Sequence, residues 1–183
     1  MYMITKPGIF FAGSNLSGKN VSKIYRKLKD LKGIFLDQQA YAAANPEELV
    51  YEVETYCPVA DGTEGGLFFG ITKLYSGMIG NEYYLTKGHF HQIRNRAEFY
   101  WCIEGEGALL MMNGAGETRA ESMMPGSLHY IDADTAHRVA NMGKIPLIFG
   151  AVWPADAGHD YDTIVKSGFS KRLVQINNEP ALI

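Results

Sequence analysis

Glu98-Phe99-Tyr100-Trp101-Cys102-Ile103-Glu104-Gly105-Glu106-Gly107-Ala108-Leu109-Leu110-Met111-Met112-Asn113-Gly114 is the stretch whose pattern decides the fold class. Two runs of apolar and aromatic residues flank the turn signal Gly105-Glu106-Gly107, and Asn113-Gly114 closes the second run. Working outward, the same alternation recurs: short stretches rich in Val, Ile, Tyr, Phe and Trp are punctuated by Asp61-Gly62, Gly65-Gly66 and Pro125-Gly126. The region from about 49 to 153 is therefore expected to supply eight or more strands, enough for a double-sheet jelly roll or small antiparallel barrel. The fold class is read as mainly β.

Before this region the pattern differs. Val21, Ile24, Leu28 and Leu31 recur at helical spacing, Ser17 or Asn20 can cap, and Gly33 can stop the chain, so a helix is predicted there. Its opposite face would carry Lys19, Lys23, Arg26, Lys27, Lys29 and Lys32, which reads first as a solvated basic face. A second short helix is predicted from Pro46, with Asn45 as its N-cap. The organisation expected is a single domain over 1–183: an N-terminal extension to about 48, a barrel core over about 49–153 and a C-terminal segment over 154–183.

Composition limits the function classes. At 183 residues the chain can bury one real core, and 46% hydrophobic with 20% charged residues argues against disorder. A net charge of -3 offers no general attraction to a phosphate backbone, so nucleic acid is not expected as a partner. No apolar run reaches the roughly 20 residues that cross a bilayer, so no membrane partner is expected. Met1–Phe11 carries its charge at Lys6 beside Pro7 without the pattern of a secretory signal, which makes the cytoplasm the default expectation. Cys57 and Cys102 lie far apart and form no Cys-x-x-Cys pair, so they read as plain thiols.

Chemistry concentrates in one constellation. Gly88-His89-Phe90-His91 sets two imidazoles two positions apart, which in a strand places them on one face. Glu98 can return a carboxylate from the next strand after a bend through Arg94-Asn95-Arg96, and His137 can bring a third imidazole across the barrel. Three neutral imidazoles and a carboxylate suit one divalent ion such as iron, manganese, nickel or zinc, with up to two positions left for substrate. A polar face on an exposed strand is the bland alternative for the histidine pair. His129, in Leu128-His129-Tyr130, has no partner at matching spacing and reads as structural.

The spacing of Gly88-His89-x-His91, Glu98 and Gly105 resembles the first cupin motif, and His137-x-x-x-Asn141 resembles the end of the second. Further stretches sharpen this: Tyr84-Leu85-Thr86-Lys87-Gly88-His89-Phe90-His91, Arg96-Ala97-Glu98, Ala136-His137-Arg138 and Pro154-Ala155-Asp156-Ala157-Gly158-His159-Asp160-Tyr161. Together, over roughly residues 30–172, they resemble the cupin-type phosphoglucose isomerases of archaea and some bacteria.

The resemblance implies a double-stranded β-helix with a metal inside and a homodimer. It also implies reversible interconversion of glucose 6-phosphate and fructose 6-phosphate, a step of glycolysis and gluconeogenesis. It implies one metal ion per subunit, iron first, held by His89, His91, Glu98 and His137, with Glu98 also the candidate general base. It places Thr72, Thr86, Gly88 and Tyr100 at the substrate's phosphate end, His159 and Tyr161 around the sugar, and an aromatic at Trp153. Thr72 and Tyr100 would equally serve as strand packing, and Arg94 and Arg96 are alternative cations for the phosphate.

Two departures from the family pattern stand out. Asp132-Ala133-Asp134-Thr135-Ala136-His137 replaces Pro-Pro-Tyr-Trp-Ala-His, exchanging a pocket aromatic for Asp134, and Trp153 replaces a common Tyr. An oxygenase that uses the same ligand set would differ by consuming dioxygen, and a non-catalytic sugar-phosphate binder by lacking turnover.

Overall fold

The computed structural model describes residues 4–183, so Met1–Met3, part of the segment searched for a signal, lie outside the described residues. A hairpin of β1 (Ile9–Ala12) and β2 (Asn15–Gly18) leads into β3 (Val21–Lys27). A 3-10 turn (Leu28–Leu31) and helix α1 (Gln38–Ala43) follow, then β4 (Leu49–Tyr56) and β5 (Leu67–Leu74). Short strands β6 (Met78–Ile79) and β7 (Glu82–Tyr83) precede the longer β8 (Glu98–Glu104), β9 (Gly107–Asn113), β10 (Thr118–Met123), β11 (Leu128–Ile131), β12 (Thr135–Asn141) and β13 (Leu147–Pro154). Helix α2 (Tyr161–Ser167) and the hairpin β14 (Leu173–Ile176) with β15 (Glu179–Leu182) complete the order.

An antiparallel sheet in the order β11-β8-β13-β5-β4-β3 faces a smaller one in the order β10-β9-β12. Strand alternation fills the space between them: Tyr51, Leu74, Tyr100 and Phe149 from the larger sheet join Leu109, Met111 and Val139 from the smaller in one buried cluster. The result is a jelly roll of the cupin kind, as the strand-and-turn pattern predicts. Ala108, Leu110 and Met112 on the other face of β9 are buried too, in the same cluster as Ile164, Phe169 and Leu173 from the C-terminal segment. Among the described residues no helix is long and apolar enough to cross a membrane.

The predicted basic helix is a strand. Residues 21–27 pair with β4 from Val21↔Tyr56 to Lys27↔Leu49, and Ile24, which a helix would bury, is 42% exposed. Helical spacing is overridden because β4 presents an open edge and Val21, Ile24 and Tyr25 are strand formers. Only Leu28 and Leu31, in the 3-10 turn that follows, enter the core. The sheet thus begins at Val21 rather than near Leu49.

The helix predicted from Pro46 is also absent. Helix α1 ends before it and is capped by Asp37, whose side chain accepts from the Ala40 N–H at 2.8 Å. Asn45 instead accepts the Glu47 N–H on its side chain (3.1 Å) and the Glu48 N–H on its carbonyl (3.0 Å), turning the chain into β4. Cys57 is exposed and Cys102 buried, and both are free.

Asn141 pins the end of β12. It is 1% exposed, donates to the carbonyls of Leu74 and Ile145 at 2.9 Å each and accepts the Gly143 N–H at 2.9 Å. Asn141→Ala strands the buried Leu74 carbonyl and frees the half-buried turn at Gly143 and Ile145, and we expect it to cost about 1–3 kcal/mol in urea unfolding, with a normal m-value.

Candidate active site

The ligand histidines are brought together by a backbone bridge. After β7 the chain runs extended along β12: Thr86 N–H donates to the Val139 carbonyl (2.8 Å), and His89 and His137 exchange both backbone hydrogen bonds at 3.2 and 3.0 Å. Between the bridges Leu85↔Ala140 and His89↔His137 this segment holds one residue more than β12, so it bulges. Gly88 sits in the bulge at φ +77°, where a Cβ would fall 2.9 Å from Arg138 Nε and 3.0 Å from its Cβ. The continuous strand expected for His89 and His91 is thus a bridged, bulged segment, yet both rings reach the same cluster of donor atoms.

All four predicted ligands meet. The donor atoms of His89, His91, Glu98 and His137 lie within 4.8 Å of one another. Glu98, the first residue of β8, places Oε2 3.1 Å from Nε2 of both His91 and His137. The outer nitrogens are oriented from behind: His91 Nδ1 faces the Arg96 carbonyl (2.9 Å) and His137 Nδ1 the Thr135 carbonyl (3.1 Å), which leaves both Nε2 atoms pointing inward. Nε2 of His89 and of His137 are buried without a hydrogen-bond partner. Burial and the neighbouring imidazoles hold His89 well below the usual histidine range, so its ring is a neutral donor. Burial opposes charge on Glu98 and on His91 alike, but contact with His137 and His91 outweighs it at the carboxyl and lowers it, and contact with Glu98 and the Arg96 carbonyl outweighs it at the His91 imidazole and raises it. Orphaned inward nitrogens beside a buried carboxylate are the donor set a divalent ion requires.

A second set of contacts latches the Pro154–Tyr161 run onto this centre. Arg96 holds Asp156 through two bonds, at 2.9 and 2.6 Å, which also fixes the carbonyl that orients His91. Arg94 donates to Asp160 at 2.9 Å and stacks on Phe90, while Asp160 caps α2 through the Thr163 N–H. Ala155 and Ala157 are buried, and the Ile93 N–H donates to the Ala157 carbonyl at 2.9 Å. Both arginines considered for phosphate are thus engaged in ion pairs, and neither lines the cavity. The latch brings the His159 ring 4.4 Å from His89, with Tyr161 stacked on His159 at 5.5 Å.

His89 and His137 form one wall of an open cavity. Thr72, Thr86, Gly88, Tyr100, Trp153, His159 and Tyr161, the whole predicted substrate set, also line it. His91 and Glu98 are buried, 5% and 4% exposed, and are not among the residues that line it. The Tyr100 ring meets His137 edge-on at 5.6 Å, and Trp153 packs against Phe68. Burial pushes the Tyr51 phenol up to about 12 and raises Tyr100 as well, so both stay hydrogen-bond donors at neutral pH.

Asp134 does not take the place of a pocket aromatic: it is exposed at φ +55°, 3.7 Å from Arg94. His129 lies outside the cavity, buried between Ser127 (2.8 Å) and Glu121 (2.9 Å). Sequence reasoning missed Arg26, Tyr51 and Lys87, which also line the cavity. Arg26 was hidden by the helical reading of its stretch, and its alternation with Ile24 was the available strand signal.

Because Arg96 and Asp156 act on the ligand set only through the His91 backbone contact, Asp156→Asn should weaken metal affinity by about 10–100-fold. Chelator competition on the purified variant measures it.

A family model described as Glucose-6-phosphate isomerase (GPI) matches residues 25–181. The glucose-6-phosphate isomerase of Pyrococcus horikoshii is 42% identical over 90% of this chain and 87% of its own length. That of Thermococcus litoralis is 44% identical over 88% of this chain and 85% of its own. The putative glucose-6-phosphate isomerase 2 of Rhizobium meliloti is 35% identical over 96% and 90% respectively. Among solved structures, oxalate decarboxylase from Bacillus subtilis at pH 4.6 overlaps 60% of this chain and 26% of its own at TM-score 0.46 and 20% identity, which leaves the assignment to the sequence relatives. Matched over most of its length by the family model and by relatives of more than 40% identity, the chain belongs to the glucose-6-phosphate isomerase (GPI) family.

Proposed function

We propose that this chain interconverts glucose 6-phosphate and fructose 6-phosphate in the cavity walled by His89 and His137. The observation that carries this reading is the convergence of a complete three-histidine, one-carboxylate donor set with hydroxyl and backbone N–H groups lining a single cavity. His89, His91, Glu98 and His137 hold one divalent ion per subunit, with iron the first assignment and manganese, nickel and zinc sharing its taste for nitrogen and oxygen donors. When bound, the ion supplies polarisation of the sugar carbonyl and stabilisation of charge on the adjacent oxygens.

The chain's own groups do the rest. Thr72, Thr86, Tyr100 and the Gly88 backbone receive the phosphate, for which hydroxyls and a bulged backbone N–H are suited donors. His159 and Tyr161 form the lip over the sugar, and Trp153 supplies an apolar face at the opposite wall. Two routes move hydrogen between C2 and C1. In a cis-enediol route Glu98 takes the C2 proton and returns it at C1, which requires its carboxylate to reach the carbons. In a direct hydrogen shift Glu98 need only hold the ion.

Isomerisation in deuterated water separates the routes: the direct shift leaves C1 and C2 of the product without deuterium, whereas incorporation at either carbon restores the enediol and the base role of Glu98. Removing metal with a chelator should abolish turnover of fructose 6-phosphate in a coupled assay, with recovery on adding back iron(II). Full activity in a metal-free preparation would overturn the metal-dependent mechanism while leaving the isomerase reading in place.

The assembly we infer is a homodimer, and the compartment the cytoplasm. Supporting the dimer is an apolar groove on the outer face of the larger sheet, where Phe11 and Leu67 are 43% and 56% exposed beside Phe69 and Val152. Leu67→Glu is expected to convert a dimer to a monomer in sedimentation velocity. A monomeric wild type excludes the assembly.

A further inference from the structure

We propose that Arg26 is the specificity-determining cation of the pocket, the residue that recognises the substrate's phosphate and selects phosphorylated over free sugars. The inference rests on reading the cavity as a phosphosugar site. It begins with register: Arg26 on β3 stands opposite Tyr51 on β4, and both side chains line the cavity that His89 and His137 wall. The edge strand thus delivers a guanidinium to the chamber in which the ligand set ends.

What distinguishes Arg26 is its lack of a carboxylate partner, its side-chain neighbour being the Tyr51 hydroxyl. Arg94, Arg96, Arg119 and Arg172 each pair with a carboxylate, and the buried Arg138 donates to the Lys87 carbonyl at 3.0 Å. Among the described residues Arg26 has no carboxylate within ion-pair distance, and its recorded hydrogen bond is a 3.5 Å contact to the carbonyl of its own neighbour Tyr25. A guanidinium keeps its charge at any ordinary pH, so half-burying one without a counterion is unfavourable unless an anion completes the site.

The surroundings fit an anion of tetrahedral, multiply accepting chemistry. The Tyr51 hydroxyl lies 3.5 Å from the Lys87 backbone nitrogen. The Thr86 hydroxyl oxygen accepts from the Val139 N–H (3.0 Å), which leaves its proton free to donate. The Lys87 ammonium stands over the Tyr161 ring at 5.0 Å and likewise has no carboxylate partner. Two cations and several hydroxyl donors with no acid among the cavity's lining residues describe a phosphate site, and of the two cations the guanidinium offers the planar pair of N–H donors that matches two phosphate oxygens.

The test uses the full-length, metal-loaded protein and the variants Arg26→Met and Arg26→Lys. Inorganic phosphate binding is followed by calorimetry, fructose 6-phosphate kinetics by a coupled assay, and metal content and melting temperature for each variant. Arg26→Met is expected to raise KM for fructose 6-phosphate by about 10–100-fold with kcat little changed, and to weaken phosphate binding by a similar factor, the loss of one charged hydrogen-bonding pair. Arg26→Lys should recover part of both losses. KM and phosphate affinity within twofold of wild type in Arg26→Met would overturn the proposal, as would equal losses in both variants accompanied by a lowered melting temperature. A wild type that binds phosphate through Arg26 yet does not turn over fructose 6-phosphate would sink the isomerase reading and leave the anion site standing.

Discussion

The two backbone hydrogen bonds exchanged by His89 and His137 are the contact on which the rest of the site depends. They tie an irregular segment to β12, a regular strand of the smaller sheet, and so bring two imidazoles from distant parts of the chain to a ring separation of 4.4 Å. The Gly88 bulge beside them shifts the register by one residue. Without that shift the following side chains would exchange faces, and His89 would point away from the cavity. A residue with a Cβ cannot occupy this position without displacing Arg138.

From this bridge the structure is supported in two directions. Arg94 and Arg96, in the bend between His91 and Glu98, grip Asp160 and Asp156, so the segment that carries the donor histidines and the Pro154–Tyr161 run share one scaffold. On the far side, Arg138 crosses from β12 to the Lys87 carbonyl and stacks on Phe169, linking the bulge to the C-terminal segment that covers the small sheet. Charged groups beside the centre are therefore divided by task. The arginines in the bend are neutralised by Asp160 and Asp156 and hold geometry, while Arg26 and Lys87 have no carboxylate partner among the described residues and line the cavity.

Much of this was legible in residues alone. A metal ligand set leaves a strong trace because its residue types are scarce and their spacing follows strand geometry, so all four ligands could be named. Turn residues between apolar runs marked the strands from β4 to β13. The N-terminal region misled because Val21, Ile24, Leu28 and Leu31 satisfy a helical period by coincidence, and local periodicity carries no information about a vacant sheet edge elsewhere. The same error concealed Arg26. Arg94 and Arg96 were plausible phosphate ligands until their partners Asp160 and Asp156, about sixty positions away, were seen beside them.

The sequence by itself determined the fold class and the donor set, because both follow from residue type and short-range spacing, whereas the substrate-side residues entered only through the family resemblance. Only the tertiary structure decided which charges are free. Whether an arginine is a ligand or a brace depends on the carboxylate that packs against it, and long-range strand pairing chooses that neighbour. For the same reason only the assembled fold placed Arg26 at the face of the cavity.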